Sequence, residues 1–328
     1  MRVLLTNDDG PPGSASPYVF GLYNHLSAFG WDVKVVLPSS QKSWIGKAFH
    51  IAEITKGNYF YPTLPDGLTG EISPTSRPLK DGEVAEWILL DGTPATCANV
   101  ALHNIFPGQI DLVISGPNLG RNTSSAFALS SGTVGAALSA SLSKTRSIAV
   151  SYGTVVHPTP TSYFEPSHVL ACRIIRYLWD NWGQDEGGLR AGEVDLYNVN
   201  IPLVEGLLTD EGLKILWTSM WRNSYGCLFK DVSGATPTTV QPSSAAGPDA
   251  LDLPNAEAAS SSSSGTLAFK FSPTMDGLIR PDESSLPVGS DGWAIFKGCA
   301  SVTPLRSSFA EPPGEATDIE DRIWKMKL

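Results

Sequence analysis

The stretch Met1-Arg-Val-Leu-Leu-Thr-Asn-Asp-Asp-Gly10 decides the fold. Val3 to Leu5 is a short, wholly apolar run, which suits a strand buried on both faces of a parallel sheet. The run stops abruptly at Thr6-Asn7-Asp8-Asp9-Gly10. Two adjacent carboxylates at the end of a buried strand are costly unless something positive binds them. In open α/β sheets, ligands sit just beyond the carboxyl ends of the strands. Asp8 and Asp9 therefore read as a divalent-metal site at the mouth of a sheet. Taken alone, the ten residues support a plain turn equally well, with Asn7 and Asp9 satisfying backbone groups.

Working outward, residues 17–29 place Val19, Leu22, Tyr23, Leu26 and Phe29 on one face at helical spacing, with Gly30 as C-cap. Residues 31–37 (WDVKVVL) form a second strand, and the three pieces make a right-handed βαβ unit. The loop at 39–47, which holds Ser43, then lies near Asp8 and Asp9. Residues 51–82 read as an antiparallel excursion and 85–90 as a strand. Thr93 as N-cap and Pro94 at the first helical position open a helix to about Asn104. A strand at 111–115, a polar loop at 116–131, a helix at 132–142 and a strand at 147–151 follow. This alternation predicts an α/β fold: a doubly wound, mostly parallel, Rossmann-like sheet with a C-terminal β-rich extension. A long amphipathic helix at 164–182 and strands at 195–201 and 212–219 lead into that extension. Residues 293–303 (WAIFKGCASVT) read as a strand pair turning at Gly298. The whole of 1–328 reads as one domain, with its core at 1–152 and the extension at 153–232 and 266–328. The Ser/Pro/Ala-rich stretch at 233–265 reads as a flexible insertion without a catalytic role.

The 328 residues are 41% hydrophobic and 17% charged, within the globular range, and carry a net charge of -10. There is no Lys/Arg run, so docking to a nucleic-acid polymer is not expected. An acidic protein that handles an anionic substrate needs a local cation or backbone N–H groups. Cys97, Cys172, Cys227 and Cys299 are scattered without zinc-ligand spacing, and buried free thiols are expected. No apolar run approaches ~18 residues, so no membrane span is expected. No signal peptide is visible, and a cytoplasmic location is expected.

Two carboxylates with neutral oxygen donors make a hard site that suits magnesium or manganese better than zinc. Neutral donors are available at Ser43 and within Ser115-Gly-Pro-Asn-Leu-Gly-Arg-Asn122, at Asn118 and Asn122. Taken singly, Ser43 and Asn118 read as loop-stabilising hydrogen-bond partners. Ser130-Ser131-Gly132-Thr133 opens a helix, where free N–H groups and the dipole suit a phosphate; an ordinary serine N-cap fits as well. The spacing is not that of a P-loop, and its lysine is absent. His25, His50, His103, His157 and His168 adjoin no strand-end motif and read as surface or capping residues. There is no GxSxG elbow and no dinucleotide fingerprint after the first strand.

The motifs together resemble a family. LLTNDDG at 4–10, the Lys42-Ser43 loop, GTPATC at 92–97, DLVISGPNLGRN at 111–122 and SSGTVGAAL at 130–138 are similar to those of SurE (survival protein E) phosphatases. LYNVNIP at 196–202 and WAIFKGCASVTPL at 293–305 resemble its C-terminal strands. The resemblance implies a metal-dependent phosphomonoesterase acting on nucleoside monophosphates, as a 5'- or 3'-nucleotidase or acid phosphatase, and some members also cleave polyphosphate. It implies that Asp8, Asp9, Ser43 and Asn118 bind Mg2+ or Mn2+, and that Asn122, Ser131, Gly132 and Thr133 lie at the phosphate. Asp8 or Asp9 would handle the attacking water. It also implies a small phosphate-ester substrate and a homodimer or homotetramer. Pro117 stands where the family usually has isoleucine, and Ser130 where it usually has tyrosine. The stretch PPGSASPY after Gly10 is closer to fungal members. A metal-dependent nucleotide sensor without turnover would use the same ligands, and a glycosyl- or phosphoryl-transferase is a third reading.

Overall fold

The computed structural model describes residues 1–154, 159–233, 267–273, 276–310 and 326. His157, and the insertion read at 233–265 apart from Ser233, lie outside the described residues. In chain order the first half holds β1 (Arg2–Thr6), α1 (Val19–Ala28), β2 (Asp32–Pro38), β3 (Gly57–Pro62), β4 (Gly70–Ser73), β5 (Trp87–Leu90) and α2 (Pro94–Val100). Next come β6 (Leu112–Leu119), α3 (Ser124–Ser130), α4 (Gly132–Leu142), β7 (Arg146–Thr154) and α5 (Phe164–Asp180). The remainder holds β8 (Leu196–Leu203), β9 (Ile215–Trp217), β10 (Phe229–Asp231), β11 (Phe269–Phe271), α6 (Asp276–Ile279), α7 (Asp291–Phe296) and β12 (Ala300–Leu305).

Ten strands form one sheet in the order β4-β3-β5-β2-β1-β6-β7-β8-β12-β9. The run from β5 to β8 is parallel throughout. Antiparallel β3 and β4 continue one side, as the excursion at 51–82 requires, and β12 pairs antiparallel with β8 on the other. Alternation along each strand feeds two separate cores. Val3 and Leu5 pack with Leu22 and Leu26 of α1 and Ile175 of α5. Leu4 faces the opposite way, into Cys97, Ala101 and Ala140 on the α2 and α4 side. Val35 and Leu37 of β2, and Leu112 and Ile114 of β6, repeat the first direction, while Val36 and Val113 repeat the second. Helices thus cover both faces, and the architecture is the doubly wound α/β sheet the alternation predicts.

Several local expectations fail for identifiable reasons. The segment at 293–303 is not a strand pair: α7 ends near Phe296 and only β12 is extended. Ser290 caps the helix, its Oγ accepting from Trp293 N at 3.2 Å, and Gly298 follows at φ +69. Those are helix start and stop signals, and they outweigh the β propensity of Trp293, Ile295 and Phe296. The loop expected at 116–131 is mostly regular. β6 continues to Leu119 after a register shift between Ser115 and Asn118, and α3 fills 124–130. Gly116 makes the shift possible, because a Cβ there would lie 2.1 Å from the Val150 carbonyl oxygen.

His168 is neither a surface nor a capping residue. It is buried on α5, its Nδ1 3.1 Å from the Tyr152 hydroxyl, and Gly21 of α1 leaves room for its ring. Cys97 and Cys172 are buried thiols as expected, but Cys227 is exposed and Cys299 half-buried, both outside the parallel core. Among the described residues no single helix is long and apolar enough to cross a membrane.

Candidate functional site

β1 and β6 are neighbours, yet α1 packs on one face of the sheet and α4 on the other. A crevice opens where the winding reverses, beyond the strands' carboxyl ends. Asp8 and Asp9 follow β1 there, and Asn118 sits near the end of β6. Asn7 makes the turn: its Oδ1 accepts from Gly10 N at 2.9 Å, and its Nδ2 donates to the Gly10 carbonyl at 2.9 Å and to Ser16 Oγ at 3.0 Å. The turn and the carboxylate pair therefore coexist, because Asn7 leaves both aspartates free of turn duty.

Both carboxylates are buried, each 2% exposed. Asp8 Oδ1 accepts from Thr133 Oγ1 at 2.5 Å, and the Asp8 carbonyl accepts from Lys42 N at 2.7 Å. The second bond draws the 39–47 loop onto the site. Asp9 Oδ2 accepts from Leu119 N at 2.7 Å, while its Oδ1 is buried with no hydrogen-bond partner among the described residues. Burial pushes the Asp8 carboxyl above the ordinary range, against the opposing pull of Thr133. Burial, and then the Asp8 charge beside it, push Asp9 well above that range. A bound cation relieves both penalties.

The remaining donors converge from other strand ends. Ser43 Oγ is buried and lacks a partner among the described residues. Asn118 Nδ2 donates to the Gly120 carbonyl at 2.9 Å, which leaves Oδ1 for another partner. An orphaned hydroxyl, an orphaned carboxylate oxygen and an amide oxygen form a hard, oxygen-only set, which fits Mg2+ or Mn2+. No group of three or more His, Cys, Asp or Glu side chains that could hold a metal occurs among the described residues. A cation here relies on two aspartates with neutral oxygens.

The first turn of α4 closes the other side. Ser131 is its N-cap, with Oγ accepting from Val134 N at 3.1 Å. Gly132 lies against Asp8, where an added Cβ would fall 2.7 Å from Asp8 Cβ. Gly135 lets the 39–47 loop rest on the same helix, since a Cβ there would fall 2.4 Å from the Gly46 carbonyl oxygen. Asn122 is held by three residues that the sequence reading missed. Its N–H donates to Asn200 Oδ1 at 2.7 Å, its Nδ2 to Ser151 Oγ at 2.8 Å, and its carbonyl accepts from Asn198 Nδ2 at 2.8 Å. The signal was present as polar Asn198 and Asn200 inside an otherwise apolar strand.

A small, partly open pocket lies among these groups, lined by Asp8, Ser43, Asn118, Asn122, Ser130 and Ser131, together with Trp44 and Phe127. Five of the eight residues singled out from sequence thus meet on one wall. Gly132 and Thr133 stand behind Asp8, and Asp9 is tied to Leu119 off the lining. Trp44 and Phe127 were not anticipated.

The family model described as "Survival protein SurE" matches residues 3–227. A protein of Saccharomyces cerevisiae named probable tubulin–tyrosine ligase PBY1 is 32% identical over 94% of this chain, but the chain spans only 41% of that protein's length. The 5'-nucleotidase SurE of Ruegeria pomeroyi is 32% identical over 62% of this chain and 68% of its own. The 5'-nucleotidase SurE of Archaeoglobus fulgidus is 32% identical over 62% and 67%. The crystal structure of the SurE protein from Aquifex aeolicus superposes with a TM-score of 0.58 at 21% identity, covering 94% of this chain and 95% of that one, a likeness of fold. With its sheet order, its strand-end motifs and a family match over most of its length, the chain belongs to the survival protein SurE family.

Proposed function

We propose that this chain is a divalent-metal-dependent phosphomonoesterase that hydrolyses nucleoside monophosphates. The observation that carries the reading is the pair of buried carboxylates beside the orphaned Ser43 hydroxyl at one sheet crevice. The relatives named 5'-nucleotidase SurE support the same chemistry. Asp8, Asp9, Ser43 and Asn118 would hold Mg2+ or Mn2+. When bound, such a cation neutralises phosphate charge and makes a water more acidic.

The chain's own residues supply the rest. Asp8 lines the cavity and accepts a hydrogen bond from Thr133, which supports reading Asp8, of the two aspartates, as the one that aligns the attacking water and takes its proton. Asp9 lies off the lining and supplies charge. Asn122 and Ser131 flank the phosphate position and stabilise its equatorial oxygens during in-line displacement, while Gly132 and Thr133 lie next to it and hold Asp8. Asn198, Asn200 and Ser151 keep Asn122 in place. The continuity of β8, β12 and β9 with the parallel strands supports reading 1–328 as one domain. We read the assembly as a homodimer or homotetramer, which sedimentation velocity would test.

The deciding experiment measures phosphate released from a panel of nucleotides, with Mg2+ or Mn2+ and with chelator. Metal-dependent release is expected. Binding without release would instead make the protein a sensor, and chelator-insensitive transfer to an acceptor other than water would make it a transferase.

A further inference from the structure

We infer that Trp44, backed by Phe127 and Tyr225, is the leaving-group subsite of this cavity and selects phosphate esters of planar aromatic groups. The inference rests on the phosphomonoesterase reading and concerns which side chains set its specificity.

The cavity wall is divided by chemistry. Asp8, Ser43, Asn118, Asn122 and Ser131 form a polar half suited to a hydrated anion. Trp44 and Phe127 form an apolar half that a phosphate group alone does not need. The apolar half continues outward. Ring centroids lie 6.0 Å apart for Trp44 and Phe127, 6.0 Å for Trp44 and Tyr225, and 5.3 Å for Trp44 and Phe271. Those rings come from four separate stretches of chain, and Tyr225 remains 42% exposed and Phe271 39%. A contiguous, partly open aromatic surface at the rim of a polar cavity marks a binding surface.

The backbone adds an independent reason. Trp44 has φ +62, a left-handed conformation that is unfavourable for a bulky residue. The turn that imposes it also presents the orphaned Ser43 hydroxyl, so one strained turn fixes an oxygen donor and an indole side by side. An ester whose phosphate meets Ser43 carries its leaving group toward Trp44. Stacking is tolerant of base identity, because every base has a π-face. The subsite should therefore distinguish aromatic from non-aromatic leaving groups strongly, and adenine from uracil weakly.

The test compares kcat/KM for AMP, UMP and ribose 5-phosphate in the metal-loaded wild-type, Trp44→Ala and Trp44→Phe proteins. The wild type is expected to prefer AMP and UMP over ribose 5-phosphate by about tenfold or more. Trp44→Ala should collapse that ratio, mainly through a higher KM for the nucleotides, and Trp44→Phe should largely restore it. Calorimetric titration of the wild type with adenosine and with ribose reads the subsite without turnover and without a variant; adenosine should bind and ribose should not. A folded Trp44→Ala protein with the wild-type ratio, or adenosine binding no better than ribose, overturns the inference. Absence of phosphate release from all three esters would overturn the phosphomonoesterase reading instead, and the titration would still decide the subsite.

Discussion

Thr133 donates its hydroxyl proton to Asp8 at 2.5 Å, joining residues 125 positions apart in the chain. The bond locks the first turn of α4 against the end of β1. The positive end of that helix therefore serves a protein carboxylate before it serves any ligand. Thr133→Val keeps the shape and removes the donor. The expected loss is about 1–3 kcal/mol of stability, measured by urea denaturation, together with a lower kcat for phosphate release.

Asp9 carries a buried oxygen with no partner among the described residues, beside a second carboxylate. Metal-free protein should therefore gain stability when this charge is removed. Asp9→Asn is expected to melt at a higher temperature than wild type without metal, to lose the upward shift in melting temperature on adding Mg2+ or Mn2+, and to lose more than ~10²-fold in activity. Thermal melts with and without metal check the first two outcomes. A variant that still gained stability from metal would remove Asp9 from the ligand set.

Gly132 tolerates no side chain. A Cβ there would fall 2.7 Å from Asp8 Cβ and 2.9 Å from Ile45 Cγ2. Gly132→Ala must push α4 away from β1 or displace the 39–47 loop. It is expected to cost about 1–3 kcal/mol and to depress activity along with stability. Denaturation midpoints and phosphate release, measured on one preparation, check both.

His168 should make stability depend on pH. Burial, and then the neighbouring His25, lower its pKa from the usual 6.5 to about 3, so it is neutral in the folded protein. His25 itself pairs with Glu165 at 2.9 Å. The unfolded chain takes up the His168 proton below the ordinary histidine pKa, while the folded chain resists it. The contribution to stability is therefore intact above about pH 6.5 and is lost as pH falls from there toward 3, at up to about 1.4 kcal/mol per pH unit. His168→Gln is expected to flatten the profile over that window, measured as the difference in urea midpoint from wild type at pH 7, 6, 5 and 4.

What was legible in the sequence was what repeats with a simple period. Val3, Leu4 and Leu5 announce a strand buried on both faces, and the spacing of Leu22 and Leu26 announces the helix that covers one of them. Local chemistry was equally readable where one residue type has one geometric use, as with Thr93 and Pro94 at the start of α2. α3 escaped because seven residues are too few for a helical period to stand out from a polar loop. α7 escaped because its composition favours a strand while its caps specify a helix. The burial of His168 depends on Gly21, 147 positions away, and no local pattern carries that contact. At the site, charged and amide residues at strand ends advertised themselves. Trp44, Phe127 and Tyr225 did not, because an aromatic residue in a loop or a short helix looks the same whether it packs or binds.

The hydroxyls of Ser130 and Tyr225 meet directly, and that of Tyr225 also donates to the Ala126 carbonyl at 2.7 Å. A small residue at 130 is what admits the ring from 225. A bulky residue at 130 would collide with it, and a small residue at 225 would leave the rim open. Among related chains the two positions should therefore vary as a pair, with the aromatic ring supplied by one or the other. The identity of the rim would then be inherited as a shared volume, not as a fixed position in the sequence.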